Sequence, residues 1–313
     1  MDRQDRQDRQ DRQDRHGWYD GLDRHDGLDR RDRPDGLDGH EGRDRRDRSD
    51  GPARPGWRIH GMSVEGYRHR RENIPCQDAW HSAVVGPPDA AVVVLAVADG
   101  AGSRPHSGQG AGFAVRLATS HFGQRAEARP QTAQEVHELL LDAFVDVREE
   151  FVSRTEGDPD DFAATLTVVV LAPTWLGHLS VGDGFVVVRS GAEGRERQFH
   201  LLPQPDAVSE YSNETVFLTS TDAEHWVHTE CVRDDGIDGV LLSTDGLTQA
   251  ALSRPPGRPR GANASFASAV LRSLDNPGPD PHADDRALAE LLRSDRLTAF
   301  NADDKTLLRA VRA

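Results

Sequence analysis

The chain has 313 residues and a formal net charge of −15 at pH 7. This acidic balance argues against a general nucleic-acid binder, which needs a basic face to displace counterions from phosphates. The N-terminus has no apolar signal segment and no apolar run approaches the length of a membrane span. We therefore expect a cytoplasmic protein that contacts neither membrane nor nucleic acid. The two cysteines, Cys76 and Cys231, are too few for a disulfide framework or a zinc site.

The first segment of the chain, residues 1–56, is of low complexity. It begins "MDRQDRQDRQDRQDR" and consists largely of Asp, Arg, Gln and Gly, with almost no aliphatic residues. Such a segment cannot bury enough apolar surface to offset the entropy lost on ordering. We predict a disordered tail over residues 1–56 and a folded domain over residues 57–313.

Apolar patterning predicts the elements of the folded domain in chain order. Runs rich in Val, Leu and Thr, bounded by Gly, Pro or Asp, predict strands at residues 91–98, 165–171, 176–181, 185–189, 215–218 and 239–243. Helical spacing predicts helices at 107–122 and 132–154, and weaker ones at 264–274 and 284–292. Thr132 and Glu135 have the spacing of a capping box. Because the strands follow one another after an early helix pair, the order favours an α+β fold with antiparallel sheets and helices packed outside.

Aspartates stand at the ends of several of these runs. They are Asp78 in "IPCQDAW", Asp99 in "VADGAGS", Asp183 in "VGDGF", Asp245 in "LLSTDGLTQ", and Asp303 and Asp304 in "NADDKTLL". Each one alone is explained as a turn residue, because Asp bonds to nearby backbone and Gly accepts positive φ. If the strand ends converge, however, several carboxylates meet at one rim. Mg²⁺ or Mn²⁺ would neutralise their repulsion with oxygen ligands, and the carbonyl of Gly100 could reach a metal because no side chain blocks it.

Other phosphate-handling motifs are missing. The glycine-rich stretch "GAGSRPHSGQGAGF" does not contain G-x-G-x-x-G, and a Walker A loop needs a Gly-Lys pair whereas the single lysine is Lys305. There is no G-x-S-x-G elbow for a serine nucleophile.

An ordered series of motifs resembles a known family. The series is "GMSVEGYRHRRENIPCQDAW", "VADGAGS", "AATLTVVVL", "VGDGFVVV", "NETVFLT", "VLLSTDGLTQ" and "ADDKTLL". From Trp57 to the C-terminus the chain is similar to the metal-dependent protein phosphatases (PPM-type, or type 2C). It most resembles a bacterial subgroup with Cys-Gln-Asp at the first metal position. The resemblance implies a four-layer α-β-β-α sandwich with two central antiparallel sheets.

The same resemblance implies a set of site residues. The two-metal site would use Asp78, Asp99, the Gly100 carbonyl, Asp245 and Asp303. Asp99 would be the catalytic residue that bridges both ions and the nucleophilic water. Asp183, together with Asp245, would hold a weaker third metal. Asp304 stands where the family has Asn, so we expect Asp303 to be the ligand and Asp304 to support it.

The chain departs from the family at three positions. Ala101 stands where many members have a His that protonates the leaving group, and Asn73 where eukaryotic members have an Arg that grips phosphate. Gln77 replaces the usual Glu before the first Asp. The candidates for phosphate binding are His69, Arg70, Arg71 and Arg104. For each of these four, a solvated loop charge is the favoured interpretation.

The function implied by the resemblance is Mg²⁺- or Mn²⁺-dependent hydrolysis of phosphoserine and phosphothreonine by metal-activated water at a binuclear site. The partners would be a phosphoprotein substrate and a cognate serine/threonine kinase. Two alternatives stay open. Ala101 and Asn73 are compatible with a non-catalytic signalling or scaffold module of the same fold, and the same chemistry could serve a small-molecule phosphate.

Overall fold

The computed structural model describes residues 56–87, 90–191, 196–204, 215–255, 257, 259–280 and 282–313. The tail predicted over residues 1–56 therefore lies outside the described residues, apart from Gly56. The strands are β1 (Trp57–Val64), β2 (Asp78–Val85), β3 (Val92–Asp99), β4 (Leu166–Leu171), β5 (Leu176–Val181), β6 (Phe185–Ser190), β7 (Gln198–Leu201), β8 (His228–Val232), β9 (Ile237–Ser243), β10 (Leu252–Ser253), β11 (Gly261–Ala262) and β12 (Lys305–Arg312). The α-helices are α1 (Tyr67–Glu72), α2 (Ser107–Ala126), α3 (Ala133–Arg154), α4 (Thr248–Ala251), α5 (Ala264–Asp275), α6 (Ala283–Leu292) and α7 (Asp295–Thr298).

Two five-stranded antiparallel sheets form the centre of the domain. One has the strand order β1-β12-β9-β6-β7 and the other β2-β3-β4-β5-β8. A core of apolar residues lies between the sheets. Helices α2 and α3 cover the outer face of the β3 sheet, and α5 and α6 cover the outer face of the β12 sheet. The predicted α+β class and the four-layer α-β-β-α sandwich are confirmed.

Strand β3 shows why its sequence is an unbroken apolar run. Side chains alternate between the two faces of a strand, and both faces of this strand are covered. Val94 and Ala96 pack against the helix layer, whereas Val93 and Leu95 pack against the opposite sheet. A strand buried on both faces cannot show the polar alternation of a half-exposed one.

The long helices agree closely with the prediction. Thr132 caps α3, because its side chain accepts a hydrogen bond from the Glu135 amide at 3.2 Å. The Glu135 carboxylate in turn accepts one from the Thr132 amide at 3.2 Å. This reciprocal pair is the capping box that the spacing predicted. Among the described helices, none is long and apolar enough to cross a lipid bilayer.

The predicted strand at 215–218 is wrong, since these residues form an irregular connection that leads into a turn. Its apolar character comes from burial rather than from a sheet. Leu218 is fully buried, and its amide donates to the Ala164 carbonyl at 2.8 Å. Its own carbonyl accepts a hydrogen bond from the Arg148 side chain, so side-chain and loop contacts replace a strand ladder.

The sequence did not predict β1, β2 and β12, in which polar side chains interrupt the apolar pattern. Arg309 of β12 is 2% exposed, and its guanidinium donates to Asp284 and approaches His60 of β1. His81 of β2 pairs with Thr119 of α2 at 2.7 Å. Partners on the covering helices satisfy these groups, so the strands do not show the apolar pattern that marks the others.

Candidate metal centre

The predicted aspartates meet at one end of the sandwich. Asp78 is the first residue of β2 and Asp99 the last of β3, and the two are directly paired in the antiparallel register. Asp245 follows β9 and Asp303 precedes β12, both in the other sheet. Asp183 lies in the turn that connects β5 of one sheet to β6 of the other. Both sheets therefore contribute carboxylates to this end, which we call the carboxylate rim (Asp78, Asp99, Asp183, Asp245 and Asp303).

Three carboxyl groups of the rim are in direct contact. The Asp99 carboxyl lies within hydrogen-bonding reach of the Asp78 and Asp245 carboxyls. Burial, followed by the charges of Asp78 and Asp245, raises the pKa of Asp99 far above its usual range. Burial also raises the pKa of Asp78. Burial, then repulsion from Asp183 and Asp303, raises the pKa of Asp245 to about 6. Bringing negative charges together in a desolvated place is unfavourable unless a cation neutralises them.

The glycines that follow Asp99 and Asp245 permit close backbone contact. A side chain at Gly100 would lie 2.7 Å from the backbone of Ser107 and 2.8 Å from the Gln77 carbonyl. One at Gly246 would lie 1.9 Å from the Asp304 carbonyl. Neither residue has positive φ. The Asp-Gly pairs are therefore not simple turn signals, because the missing side chain is what lets the rim segments pack together.

Threonine hydroxyl groups hydrogen-bond to two residues of the carboxylate rim, Asp78 and Asp99. Thr244 donates its hydroxyl to Asp78 at 2.7 Å and accepts the Thr306 amide at 3.2 Å. The hydroxyl of Thr165 accepts the Asp99 amide at 3.0 Å. Sequence reasoning missed both threonines, although Thr244 immediately precedes Asp245 in "STDG". A small polar residue next to a candidate ligand is the signal that could have found it.

Asp304 has a different role from its neighbour Asp303. Its carboxylate is 3% exposed and faces three partners on the segment that leads to Asp78. The amides of Gly66 and Gln77 donate to it at 2.7 and 2.6 Å, and His69 Nδ1 lies at 2.8 Å. With its oxygens engaged in this way, Asp304 ties the segment before Asp78 to the segment that contains Asp303.

Lys305 is the cation closest to the rim among the described residues whose charges act on it. Its ammonium donates to the Asp303 carbonyl at 2.8 Å, and the side chain is buried. Its charge lowers the pKa of Asp245 but does not outweigh burial and the neighbouring carboxylates. A single ammonium therefore leaves the five acids of the rim undercompensated.

The donor set fits a hard divalent cation, but the side chains do not form a finished cage. Among the described residues, no group of three or more Asp, Glu, His or Cys side chains is arranged to hold a metal ion as it stands. The carboxyls of Asp78, Asp99 and Asp245 act on one another's pKa instead, and a cation among them would relieve their repulsion. The side-chain oxygen of Gln77 is also buried without a hydrogen-bond partner. Desolvated oxygen donors without soft ligands favour Mg²⁺ or Mn²⁺ over zinc.

The four phosphate-binding candidates fall into two groups. His69 is buried and faces Asp304, so its Nδ1 is already engaged. Arg70 and Arg71 are exposed on α1, and Arg104 is exposed in the turn after Ala101. The structure thus places three of the four in solvent beside segments that form the rim.

Two of the three departures from the resembled family have local structural explanations. Asn73 ends α1 in the left-handed conformation with φ of 53°, which Asn adopts more readily than most residues. Ala101 is nearly buried, and its amide donates to the Ala163 carbonyl at 2.9 Å. Neither position offers an acid or a cation to a substrate.

Comparison with known proteins agrees with this architecture. A family model described as Protein phosphatase 2C matches residues 65–293. The chain belongs to the protein phosphatase 2C family. This matched segment contains Asp78, Asp99, Asp183 and Asp245, and Asp303 follows it. Membership identifies the chain as a phosphoprotein phosphatase by family.

Relatives of this phosphatase family come from distant organisms. The chain is 29% identical over 201 residues to Serine/threonine-protein phosphatase 3 of Escherichia coli (strain K12), covering 63% of this chain and 76% of that protein. Its fold resembles serine-threonine phosphatase 2C from Toxoplasma gondii, with a TM-score of 0.56 at 15% identity over 84% of this chain and 98% of that one. It also resembles Serine/threonine phosphatase Stp1 from Staphylococcus aureus, with a TM-score of 0.52 at 15% identity over 88% of this chain and 100% of that one. At these identities the structural likeness shows the fold alone.

Proposed function

We propose that this chain is a Mg²⁺- or Mn²⁺-dependent phosphatase that hydrolyses phosphoserine and phosphothreonine in proteins. The observation that carries the proposal is the convergence of aspartates from both sheets on one rim with a single lysine beside them. Membership of the phosphatase family supports the reaction class. The name of the Escherichia coli relative, a serine/threonine-protein phosphatase, supports the substrate class.

The proposed ligands of a binuclear site are Asp78, Asp99, the Gly100 carbonyl, Asp245 and Asp303, with Asp99 shared between two ions. Asp183 is a proposed ligand of a third ion, together with Asp245. Asp183 and Asp303 are exposed, whereas Asp78 is buried. An ion at the rim would therefore have protein on one side and access to substrate on the other.

Bound cations would activate a water molecule and neutralise the charge of the phosphoryl group. The protein residues hold the carboxylates in place for that task. Thr244 fixes one oxygen of Asp78, and Asp304 fixes the segments on both sides of the rim. Since Ala101 has no proton to donate, we propose that solvent water protonates the leaving alkoxide.

The decisive experiment compares Mn²⁺-dependent hydrolysis of a phosphoserine peptide by wild type and by Asp99→Asn. Asp142→Asn is the matched control, because it removes a carboxylate from an exposed position on α3. We expect the control to retain wild-type activity and Asp99→Asn to lose it. Equal rates for wild type and Asp99→Asn would refute the proposal.

A second candidate is a non-catalytic signalling or scaffold protein of the same fold, which the residues at Ala101 and Asn73 motivate. Calorimetric titration with Mn²⁺ beside the turnover assay separates the two, because binding without turnover would favour the scaffold. Comparing kcat/KM for phosphopeptides and small phosphate esters tests the third possibility, a phosphatase for metabolites.

Three further expectations from the sequence are carried as proposals. We propose a cognate serine/threonine kinase as partner and the cytoplasm as location. We also propose that residues 57–313 suffice for activity, so a chain shortened to begin at Trp57 should turn over phosphopeptide at the full-length rate.

A further inference from the structure

Helix α1 is a short basic segment attached to the carboxylate rim. The Gly66 amide at its start donates to Asp304 at 2.7 Å. The Arg68 amide donates to the Ala302 carbonyl at 3.4 Å, in the loop that leads into Asp303. The helix is therefore fixed beside a proposed metal ligand by backbone contacts that do not depend on its exposed side chains.

One face of α1 is committed to the protein and the other is open. His69 is the buried residue of the helix, and it faces Asp304. Arg70 and Arg71 are exposed. Of the arginines on this helix, Arg68 has an acidic partner, Glu72, at 3.7 Å. No described carboxylate forms an ion pair with Arg70 or Arg71.

Arg70 lies within electrostatic range of Lys305 and of Glu65. Burial lowers the pKa of Lys305, and the charge of Arg70 adds to that effect. Lys305 donates to the Asp303 carbonyl, so Arg70 lies within electrostatic range of the group beside a proposed ligand. The Arg71 guanidinium lies 5.7 Å from the ring centroid of Tyr67, whose side chain is 47% exposed. This contact holds Arg71 against the outer surface of α1.

We propose that Arg70 and Arg71 bind acidic side chains that flank the phosphorylated residue of a protein substrate. The inference rests on the proposed function, since it assigns the substrate class of the same site. Two guanidinium groups without acidic partners beside the rim are complementary to carboxylates. The protein has a net charge of −15, so most of its surface would repel an acidic peptide. The two arginines would attract such a peptide to α1.

Flanking residues fit this position better than the phosphate itself. Asp304 lies between His69 of α1 and the Gln77 amide that precedes Asp78, and the two arginines are exposed on the same helix. An extended peptide advances about 3.3 Å per residue. A peptide whose phosphate sits at the rim would therefore bring its neighbouring side chains across α1.

The test measures kcat/KM with Mn²⁺ for phosphoserine peptides that differ only in the flanking residues, which are Glu, Gln or Lys. Wild type should prefer the Glu peptide over the Gln peptide by roughly 10-fold, the order expected for two exposed charge pairs, mainly through KM. In the double variant Arg70→Gln/Arg71→Gln the preference should fall close to 1. Added salt should reduce the wild-type preference toward the value of the variant.

The matched control is Arg116→Gln/Arg272→Gln, which removes the same charge from exposed positions on α2 and α5. It should keep the preference of wild type. The inference is wrong if wild type does not distinguish the Glu and Gln peptides, or if the two double variants lose the preference equally. Hydrolysis of para-nitrophenyl phosphate reports catalysis without a peptide. A rate that falls in Arg70→Gln/Arg71→Gln as much as the rate with the Glu peptide would overturn the inference, because the two arginines would then bind the phosphate and not its flanking residues.

Fluorescence anisotropy separates this inference from the proposed function. If no substrate is hydrolysed, the proposed function fails. Binding of the labelled Glu peptide then still tests whether Arg70 and Arg71 bind acidic side chains. Tighter binding to wild type than to Arg70→Gln/Arg71→Gln would support the basic surface, and equal binding would overturn it. If para-nitrophenyl phosphate is hydrolysed and the peptides are not distinguished, the proposed function stands and the acidic substrate class is wrong.

Discussion

Aspartates lie both at the carboxylate rim and on the outer face of the β12 sheet, but their electrostatic surroundings are opposite. At the rim, Asp78, Asp99 and Asp245 face each other, and burial with mutual repulsion raises the pKa of Asp99 and Asp245. Behind the sheet, the partly buried Asp238, Asp275 and Asp284 each face a buried arginine. The comparison distinguishes carboxylates that are paired with a cation of the fold from carboxylates that repel one another.

The arginine side of the comparison consists of two networks. Arg189 of β6 contacts Asp238 at 2.6 Å and Asp275 at 2.7 and 2.9 Å. Burial works against the charge of Asp275, but the hydrogen bonds and charge of Arg189 outweigh it and lower the pKa of that carboxyl. Arg309 of β12 likewise donates to Asp284 at 2.6 Å. Each of these aspartates therefore has an arginine partner within the fold.

A buried charged residue is therefore not by itself evidence of a functional site. A buried aspartate with an arginine partner contributes to the structure, whereas buried aspartates that face one another destabilise the metal-free fold. Such groups persist at functional sites because the ligand supplies the missing charge. Changing one residue in each region should therefore have opposite consequences for stability.

The largest expected effect is that of Asp99→Asn. Loss of supporting groups around a metal costs 10–100-fold, so loss of a shared ligand should cost more, about 10³-fold in kcat/KM. The free energy of unfolding of the metal-free protein should rise, because the variant removes a desolvated charge from a repulsive cluster. Phosphopeptide assays and urea unfolding in chelator measure both. A variant that is inactive and also less stable would contradict the account of the rim.

Arg189→Met should have the opposite signature. It removes the buried guanidinium that pairs with the partly buried Asp238 and Asp275, which should cost about 3 kcal/mol of the free energy of unfolding. Activity of the protein that remains folded should not change, because the network is remote from the proposed ligands. Urea unfolding followed by circular dichroism measures the loss, and a change below ~1 kcal/mol would show that these aspartates do not depend on Arg189.

Asp304→Asn tests the support of the rim. The amide nitrogen cannot accept the Gln77 or Gly66 amide, so the segments that hold Asp78 and Asp303 should loosen. We expect Mn²⁺ affinity to fall about 10–100-fold, with kcat recovered at saturating Mn²⁺. Calorimetric titration gives the affinity directly. Unchanged affinity would mean that Asp304 serves the fold and not the ligands.

The two regions should also respond to pH in opposite directions. Asp245 has a raised pKa of about 6 against an ordinary value of 3.8. Its contribution to metal-free stability is therefore fully present below about pH 4 and is lost as the pH rises through 6. Asp275 has a lowered pKa, so its contribution is present above pH 3.8 and is lost as the pH falls. The Asp245 effect should be about 1 kcal/mol after solvent screening.

Urea unfolding in chelator from pH 4.5 to 7.5 measures the Asp245 part. Asp245→Asn should be less sensitive to rising pH than wild type, and saturating Mn²⁺ should remove the difference. The same slope in both metal-free proteins would show that Asp245 does not carry the effect.

The smallest effect is expected for Arg197→Met. Arg197 contacts the same two aspartates as Arg189, at 3.2 and 3.3 Å, but its side chain is 52% exposed. Solvent screening should limit the loss to below ~1 kcal/mol. Urea unfolding beside Arg189→Met gives the comparison. Equal losses in the two variants would mean that burial does not determine the strength of these pairs.

The sequence predicted the layers of the fold and the identity of the rim residues, because both depend on local pattern. Val92–Asp99 is an apolar run that ends in an aspartate, and the capping box of α3 is recognisable from the spacing of Thr132 and Glu135. The sequence could not predict the pairing of Asp78 with Asp99 or the contact between His69 and Asp304, since these join distant segments. It also could not show that Arg309 is buried, because its acidic partner lies on a helix 25 residues away in sequence.

The most direct test of the central claim is a calorimetric titration of Mn²⁺ into chelator-treated protein at pH 7.5. Wild type and Asp142→Asn should bind Mn²⁺ at more than one site per chain, and Asp99→Asn should lose the tighter binding. If Asp99→Asn binds Mn²⁺ with the stoichiometry and affinity of wild type, the carboxylate rim is not the metal centre.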